Sequence, residues 1–117
     1  MRQPLFVATA LGTVLQLIMV VWGHSDPSVA ALFAVGGMAV SLLAGLVYAL
    51  MARTGMGSSA FGGALAGGAC ALIGIAVSLA LGDVEPVLLA LGTASSAVTG
   101  AVGGLVGALF GRRTARA

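Results

Sequence analysis

Four long runs of apolar residues, separated by short polar stretches, dominate the chain. The runs cover about residues 5–22, 27–51, 59–81 and 86–110, and none of them contains a charged residue. Each is close to or above the roughly 20 residues that a helix needs to cross the hydrocarbon core of a bilayer. Continuous apolar runs without alternation exclude a transmembrane β-barrel. The pattern therefore predicts an all-α fold, an integral membrane four-helix bundle.

Composition indicates that lipid, not water, surrounds most of this surface. Hydrophobic residues make up 60% of the 117 residues and charged residues 7%, whereas soluble domains carry about 25% charged residues. The 19 glycines would weaken helices in water, but small residues let helix backbones approach closely in membranes. We therefore expect one transmembrane domain over residues 1–117.

The charged residues divide by sign between the two ends of the predicted helices. One end has Arg2, Arg53, Arg112, Arg113 and Arg116, and the other has Asp26, Asp83 and Glu85. The positive-inside rule then predicts a multi-pass protein of a bacterial cytoplasmic (inner) membrane, with both termini in the cytoplasm. Trp22 and Tyr48 fall near the predicted outer and inner interfaces, where amphipathic rings are favoured. The net charge of +2 is too small to indicate nucleic-acid binding.

The second half of the chain overlays the first at an offset of 59 residues. Within residues 23–53 the identical pairs are Gly23/Gly82, Pro27/Pro86, Ala31/Ala90, Leu32/Leu91, Gly45/Gly104, Leu46/Leu105, Val47/Val106, Ala49/Ala108, Leu50/Leu109 and Arg53/Arg112. This exceeds the roughly three or four identities expected by chance in such a composition. We predict an internal repeat of residues 1–58 and 59–117, each half a transmembrane hairpin and both in the same orientation. The first and third runs do not align.

Small residues recur at a spacing of four along three of the predicted helices. Residues four apart share a helix face, and such small-xxx-small strips are a main packing signal in lipid. Either all strips pack inside the bundle, or a surplus strip on the fourth helix mediates self-association or binds a partner. The predicted packing residues are Gly37, Ser41, Gly45, Gly63, Gly67, Ser96, Gly100, Gly103, Gly104, Gly107 and Gly111.

A few polar side chains lie at bilayer depth and allow two interpretations. Gln16 is the most polar of them, and an unpaired amide in hydrocarbon is costly, so it should face protein or water. One interpretation is an interhelical hydrogen bond worth about 1 kcal/mol; the other is a path for a solute. The residues of this candidate polar path are Thr9, Thr13, Gln16, Thr93, Ser96 and Thr99.

The sequence indicates no enzyme, cofactor site or metal site. One cysteine, Cys70, supports neither a disulfide within the chain nor a thiolate cluster, and His24 has no nearby nucleophile pattern. Familiar proton coupling needs an ionisable group within the membrane. The apolar runs contain no carboxylate, which argues against small multidrug exporters and rotary-ATPase proteolipids.

Three features of the first two runs resemble the first half of ATP synthase subunit I. They are Asp26-Pro27, Gly36-Gly37 and the terminal Arg53. The second half lacks the polar and basic residues of that family, so the resemblance does not identify the protein. The sequence favours a non-enzymatic structural or accessory subunit that self-associates or packs in a larger membrane complex through its Gly/Ser faces. The alternatives are a small oligomeric channel or transporter for a neutral solute, and a holin-like membrane lesion former.

Overall fold

The computed structural model describes residues 2–26, 28, 33–53, 55–82 and 84–116, and the regular secondary structure of these residues is entirely helical. Four helices follow one another: α1 (Arg2–Ser25), α2 (Phe33–Ala52), α3 (Met56–Ala80) and α4 (Val87–Arg116). Each contains a stretch long and apolar enough to cross a membrane. The predicted all-α class and the four helices of membrane-spanning length are confirmed, which indicates a multi-pass membrane protein.

The helices extend beyond the apolar runs at several ends. α1 begins at Arg2, α3 begins at Met56, and α4 continues to Arg116, whereas the predicted limits are residues 5, 59 and 110. Hydropathy detects where lipid contact ends, but backbone hydrogen bonding can continue into water through residues with good helix propensity such as arginine. The predicted start of the second helix, at residue 27, lies outside the described residues.

Two residues with positive φ follow the ends of helices. Arg53 has a φ of 52°, and its N–H donates to the carbonyl oxygen of Ala49 at 3.1 Å. Gly82 has a φ of 78°, and its N–H donates to the carbonyl oxygen of Leu79 at 3.0 Å. A left-handed residue after the last turn ends a helix and redirects the chain. These turns let α3 and α4 return alongside the helices that precede them.

The helices α2 and α3 form the centre of the bundle, with α1 and α4 on opposite sides. Both α1 and α4 pack against α2 and against α3, and α2 contacts α3 directly. In the part of the chain that the structure describes, α1 and α4 make no extensive contact with each other. The span of α3 has 44% of its residues buried, against 22–28% in the other three spans. α3 is therefore the helix around which the others pack.

Helices that correspond under the sequence offset lie side by side at matching depth. Gly12 of α1 meets Cys70 of α3, and Ala49 of α2 meets Gly107 of α4. Both pairs are separated by 58 residues in sequence, one less than the offset of the repeat. The arrangement is not two-fold symmetric, because the contact of α2 with α3 has no extensive counterpart between α4 and α1. The internal repeat itself stays a prediction.

Candidate functional site

The glycines of α4 bring its backbone directly against the backbone of α3. A Cβ on Gly100 would collide with the carbonyl oxygen of Gly63 and would lie 3.0 Å from the Cα of Gly67. A Cβ on Gly104 would collide with the carbonyl oxygen of Ser59. Because the obstructing atoms belong to the backbone, a change of rotamer cannot relieve these collisions. This helix spacing therefore requires glycine at both α4 positions.

The second glycine strip of α4 faces α2. A Cβ on Gly103 would collide with the carbonyl oxygen of Leu42, and one on Gly107 would lie 2.7 Å from a side-chain carbon of α2. A Cβ on Gly45 of α2 would collide with the carbonyl oxygen of Gly100. Among the described residues, these glycines are thus used inside the chain. The interpretation in which the second strip of α4 meets another protein gains no support from this packing.

The other predicted packing residues have more varied surroundings. Ser41 is fully buried, and its Oγ donates to the carbonyl oxygen of Gly67 at 3.3 Å, which joins α2 to α3. The carbonyl oxygen of Ser96 would lie 2.8 Å from a Cβ on Gly67. Gly37 is more open, because a Cβ there would meet nothing closer than 3.8 Å. The surroundings of Gly111 lie outside those that the structure describes.

A further strip of small residues on α3 is missing from the predicted packing set. All five of its members are buried, and they follow one another at intervals of four residues: Gly62, Ala66, Cys70, Gly74 and Ser78. The signal is the spacing already used for the other strips. Treating Cys70 as an isolated thiol, not as one small residue among five, hides the pattern.

This α3 strip receives an aromatic ring of α2 and the backbone of α1. A Cβ on Gly62 would collide with the ring of Tyr48, which is only 2% exposed. A Cβ on Gly12 of α1 would lie 2.8 Å from the Sγ of Cys70. The ring of Tyr48 lies inside the bundle, because Gly62 leaves a recess for it; its expected depth near the inner interface stays a prediction. Trp22 is well exposed near the C-terminal end of α1.

Gln16 connects three helices in the interior of the bundle. Its side chain is 3% exposed, and its Nε2 donates to the carbonyl oxygen of Gly37 at 3.3 Å. The same nitrogen lies 4.0 Å from the Sγ of Cys70, and the Cβ of Gln16 would lie 2.9 Å from a Cβ on Gly74. The bond from Gln16 to Gly37 agrees with the first of the two interpretations of Gln16, an interhelical hydrogen bond.

The six residues of the candidate polar path lie on two helices that do not pack together. Thr9, Thr13 and Gln16 belong to α1, and Thr93, Ser96 and Thr99 belong to α4. The central helices α2 and α3 stand between them. The Oγ1 of Thr99 donates to the carbonyl oxygen of Ser95 at 2.8 Å, so this hydroxyl is bound within its own helix. The structure does not bring the six side chains into one group.

Three buried hydroxyl groups have no hydrogen-bond partner in the described part of the chain. They are the Oγ1 of Thr13, the Oγ of Ser78 and the Oγ1 of Thr93. Helical serine and threonine commonly bind the carbonyl of the preceding turn, but these three do not. They are buried polar groups whose hydrogen-bonding capacity is not met by the described residues.

The acidic end of the bundle contains a local turn. Asp26 Oδ1 accepts hydrogen bonds from the N–H of Ser28 at 3.0 Å and from its Oγ at 2.6 Å. Among the described residues, no group of three or more His, Cys, Asp or Glu side chains is placed to hold a metal ion.

The main feature of the molecule is its core of small residues, in which Gln16 and Ser41 donate hydrogen bonds to neighbouring helices. Comparisons of the chain with protein families, with curated proteins and with solved structures found no match.

Proposed function

We propose that this chain is a non-enzymatic integral membrane protein with a structural or accessory role, which associates with copies of itself or with a larger membrane complex. The observation that supports this most directly is the core, where α2, α3 and α4 meet backbone to backbone through glycine. The polar side chains of Gln16 and Ser41 bind neighbouring helices. These contacts suit a compact scaffold that presents an outer surface.

In this proposal the association surface is the apolar outer face, since the described glycine strips already contact helices of the same chain. Large apolar side chains project outward from all four helices. The most exposed on each described helix are Phe6 at 74%, Val35 at 72%, Phe61 at 68% and Val98 at 66%. Either lipid or a helix of another protein can cover such a face, and van der Waals packing would drive the association.

Photo-crosslinking in native membranes tests this association. A photoreactive residue replaces Phe6, Val35, Phe61 or Val98, one on each helix. The proposal predicts a protein adduct of discrete mass from at least one position. The same four variants in vesicles at low protein density are the matched control, because neither a partner nor a second copy is within reach there. Lipid adducts alone from all four positions, with a strict monomer in mild detergent, would refute the proposal.

We also propose that the protein resides in a bacterial cytoplasmic membrane with both ends of the chain in the cytoplasm. All five arginines lie at the bundle end where α1 and α3 begin and where α2 and α4 end. The positive-inside rule supports this orientation. A green fluorescent protein fused after residue 117 should fluoresce, and alkaline phosphatase at the same site should be inactive. The opposite pair of results would refute the orientation.

The same proposal includes descent of residues 1–58 and 59–117 from one duplicated hairpin. The sequence offset supports it. Separate expression of the two halves tests it. If the halves descend from a self-associating hairpin, the half that contains α3 and α4 should insert and associate without the other half.

A second candidate function is a path for a small neutral solute, which the unpartnered hydroxyl of Thr13 on α1 or that of Thr93 on α4 favours, each on its own side of the bundle. Flux of uncharged solutes into protein-containing vesicles measures it directly. Replacement of either threonine by valine should lower the flux, whereas valine at Thr99, whose hydroxyl is bound within its own helix, should leave it unchanged. No flux across a broad panel of solutes would remove this candidate.

A further inference from the structure

The last helix continues beyond its apolar span, and the extension carries three arginines. The span of α4 is Val87–Phe110, whereas the helix ends at Arg116. At a rise of 1.5 Å per residue, the extension adds about 9 Å to the helix. This length carries α4 from the edge of the hydrocarbon core through the layer of lipid headgroups, where the phosphate groups lie.

Helical geometry places the arginine positions on the side of α4 that faces away from the bundle. The glycines that contact α2 and α3 are Gly100, Gly103, Gly104 and Gly107. At about 100° per residue, positions 112, 113 and 116 lie on an arc centred roughly 180° from the centre of this glycine strip. Because the glycine strip faces the bundle, the opposite arc faces the surrounding membrane.

The same arc continues an exposed apolar stripe within the membrane. Val98, Val102 and Leu109 fall on it by the same angular spacing, and they are 66%, 47% and 49% exposed. We call the six positions together the lipid-facing stripe: Val98, Val102, Leu109, Arg112, Arg113 and Arg116. Along the helix it changes from apolar to basic at the boundary between hydrocarbon and headgroups. A phospholipid has the matching order of acyl chain and phosphate.

Charge at this end of the bundle favours a negatively charged headgroup. Arg2 and Arg53 lie at the same end, and the three acidic residues of the sequence fall between α1 and α2 and between α3 and α4, which meet at the opposite end. Each basic residue near an anionic membrane surface strengthens the attraction by about fivefold. Guanidinium groups also bind phosphate oxygens in a bidentate manner. The attraction to net charge favours an anionic lipid over a zwitterionic one, because the headgroup of a zwitterionic lipid has no net charge.

We propose that the lipid-facing stripe binds anionic phospholipids of the leaflet at the basic end. The acyl chain lies along the apolar part of the stripe, and the phosphate group is bound by the arginines of the helical extension. A lipid fits better than a protein partner because the stripe joins exposed apolar positions to basic positions that follow on the same face of α4. This inference does not depend on the association proposed above, and it holds for a monomer in a bilayer.

Quenching of tryptophan fluorescence by brominated lipids tests the proposal at the stripe itself. The native chain has a single tryptophan, Trp22, at the acidic end. A Trp22→Phe, Leu109→Trp variant moves the reporter into the stripe. The variant is reconstituted into vesicles of phosphatidylcholine that contain increasing fractions of brominated phosphatidylglycerol, and separately of brominated phosphatidylcholine. The unaltered chain with Trp22 is the matched control for selectivity away from the arginines.

The expected result is a preference for phosphatidylglycerol of at least about fivefold at position 109, the effect of one basic residue, and no preference at Trp22. The additional changes Arg112→Gln, Arg113→Gln and Arg116→Gln should remove the preference, whereas lysine at the three positions should retain most of it. Equal quenching by both brominated lipids at position 109 would overturn the proposal. So would a preference that the glutamine changes leave intact.

A second measurement keeps the test decisive if the glutamine variant does not insert. Raising the salt concentration to about 1 M shortens the Debye length to about 3 Å and screens exposed charges. The preference of the Leu109→Trp chain should then fall towards one, without any change to the arginines. A preference that is insensitive to salt would show that contacts other than the arginine charges select the lipid, and the proposal would be wrong.

Discussion

Replacement of Gly100 by alanine should destabilise the bundle, whereas the same replacement at Gly37 should not. Both glycines lie in helix interiors and belong to strips of the same spacing, so the sequence alone predicts the same effect for both replacements. Their surroundings differ: a Cβ at Gly100 collides with the backbone of Gly63, and a Cβ at Gly37 meets nothing closer than 3.8 Å. The pair therefore isolates the effect of close backbone contact.

The size of the effect follows from the nature of the obstructing atoms. Overpacking a core costs about 1–3 kcal/mol, and the upper end applies to Gly100 because carbonyl and Cα atoms cannot turn aside. Alanine also recovers up to about 1 kcal/mol of helix propensity relative to glycine. The net loss at Gly100 is then about 2 kcal/mol, or about 30-fold in the ratio of folded to unfolded protein. At Gly37 only the gain remains.

Unfolding of the detergent-solubilised protein by increasing dodecyl sulfate, followed by far-ultraviolet circular dichroism, measures both variants. The Gly100→Ala midpoint should fall, and the Gly37→Ala midpoint should stay equal or rise. Gly63→Ala disturbs the same contact from the α3 side. The double variant with Gly100→Ala should therefore lose less stability than the sum of the two single losses, because one separation of the helices relieves both collisions. Equal shifts for Gly100→Ala and Gly37→Ala would refute the reasoning from backbone contact.

Three further predictions use the same unfolding assay or the single thiol. Gln16→Leu should cost about 1 kcal/mol, the value of an interhelical hydrogen bond in a membrane, because the bond to the Gly37 carbonyl is lost; an unchanged midpoint would show that this bond contributes nothing. Gly62→Ala should destabilise the native chain but cost much less in a Tyr48→Ala background, where the ring that the new methyl group meets is absent; equal costs in both backgrounds would contradict this. Cys70 is 0% exposed, so a maleimide should label it only on unfolding, and rapid labelling of the folded protein would contradict the packing.

Hydropathy was sufficient to locate the spans, because a bilayer has one thickness and each span must match it. Hydropathy could not locate the end of α4 at Arg116, because a helix can continue into water beyond its apolar span where helix-forming residues such as arginine follow. The four-residue spacing of glycines predicts a shared face along one helix. It could not indicate which helix would meet that face, because the choice among three neighbours depends on the packing of all pairs together.

In the candidate site, too, the sequence predicts the local pattern along one helix but not which residue of another helix a side chain contacts. Burial of Gln16 followed from the cost of an unpaired amide in lipid, but its partner, a backbone carbonyl of α2, carries no sequence signal. Tyr48 illustrates the reverse case, because an interfacial preference constrains depth and not direction around the helix axis. The strip that includes Cys70 and Ser78 was present in the sequence, and including cysteine among the small residues would have found it.

The backbone contact between α3 and α4 has a consequence for any passage of solutes between these two helices. A barrier made of side chains can open by rotamer changes within picoseconds to nanoseconds, but displacing packed helices takes microseconds or longer. Here main-chain atoms of Gly63, Gly100 and Gly104 occupy the middle of the molecule, and a main chain has no rotamer to change. The contact between α3 and α4 therefore offers no side-chain gate, and a path between these two helices would require the helices themselves to separate.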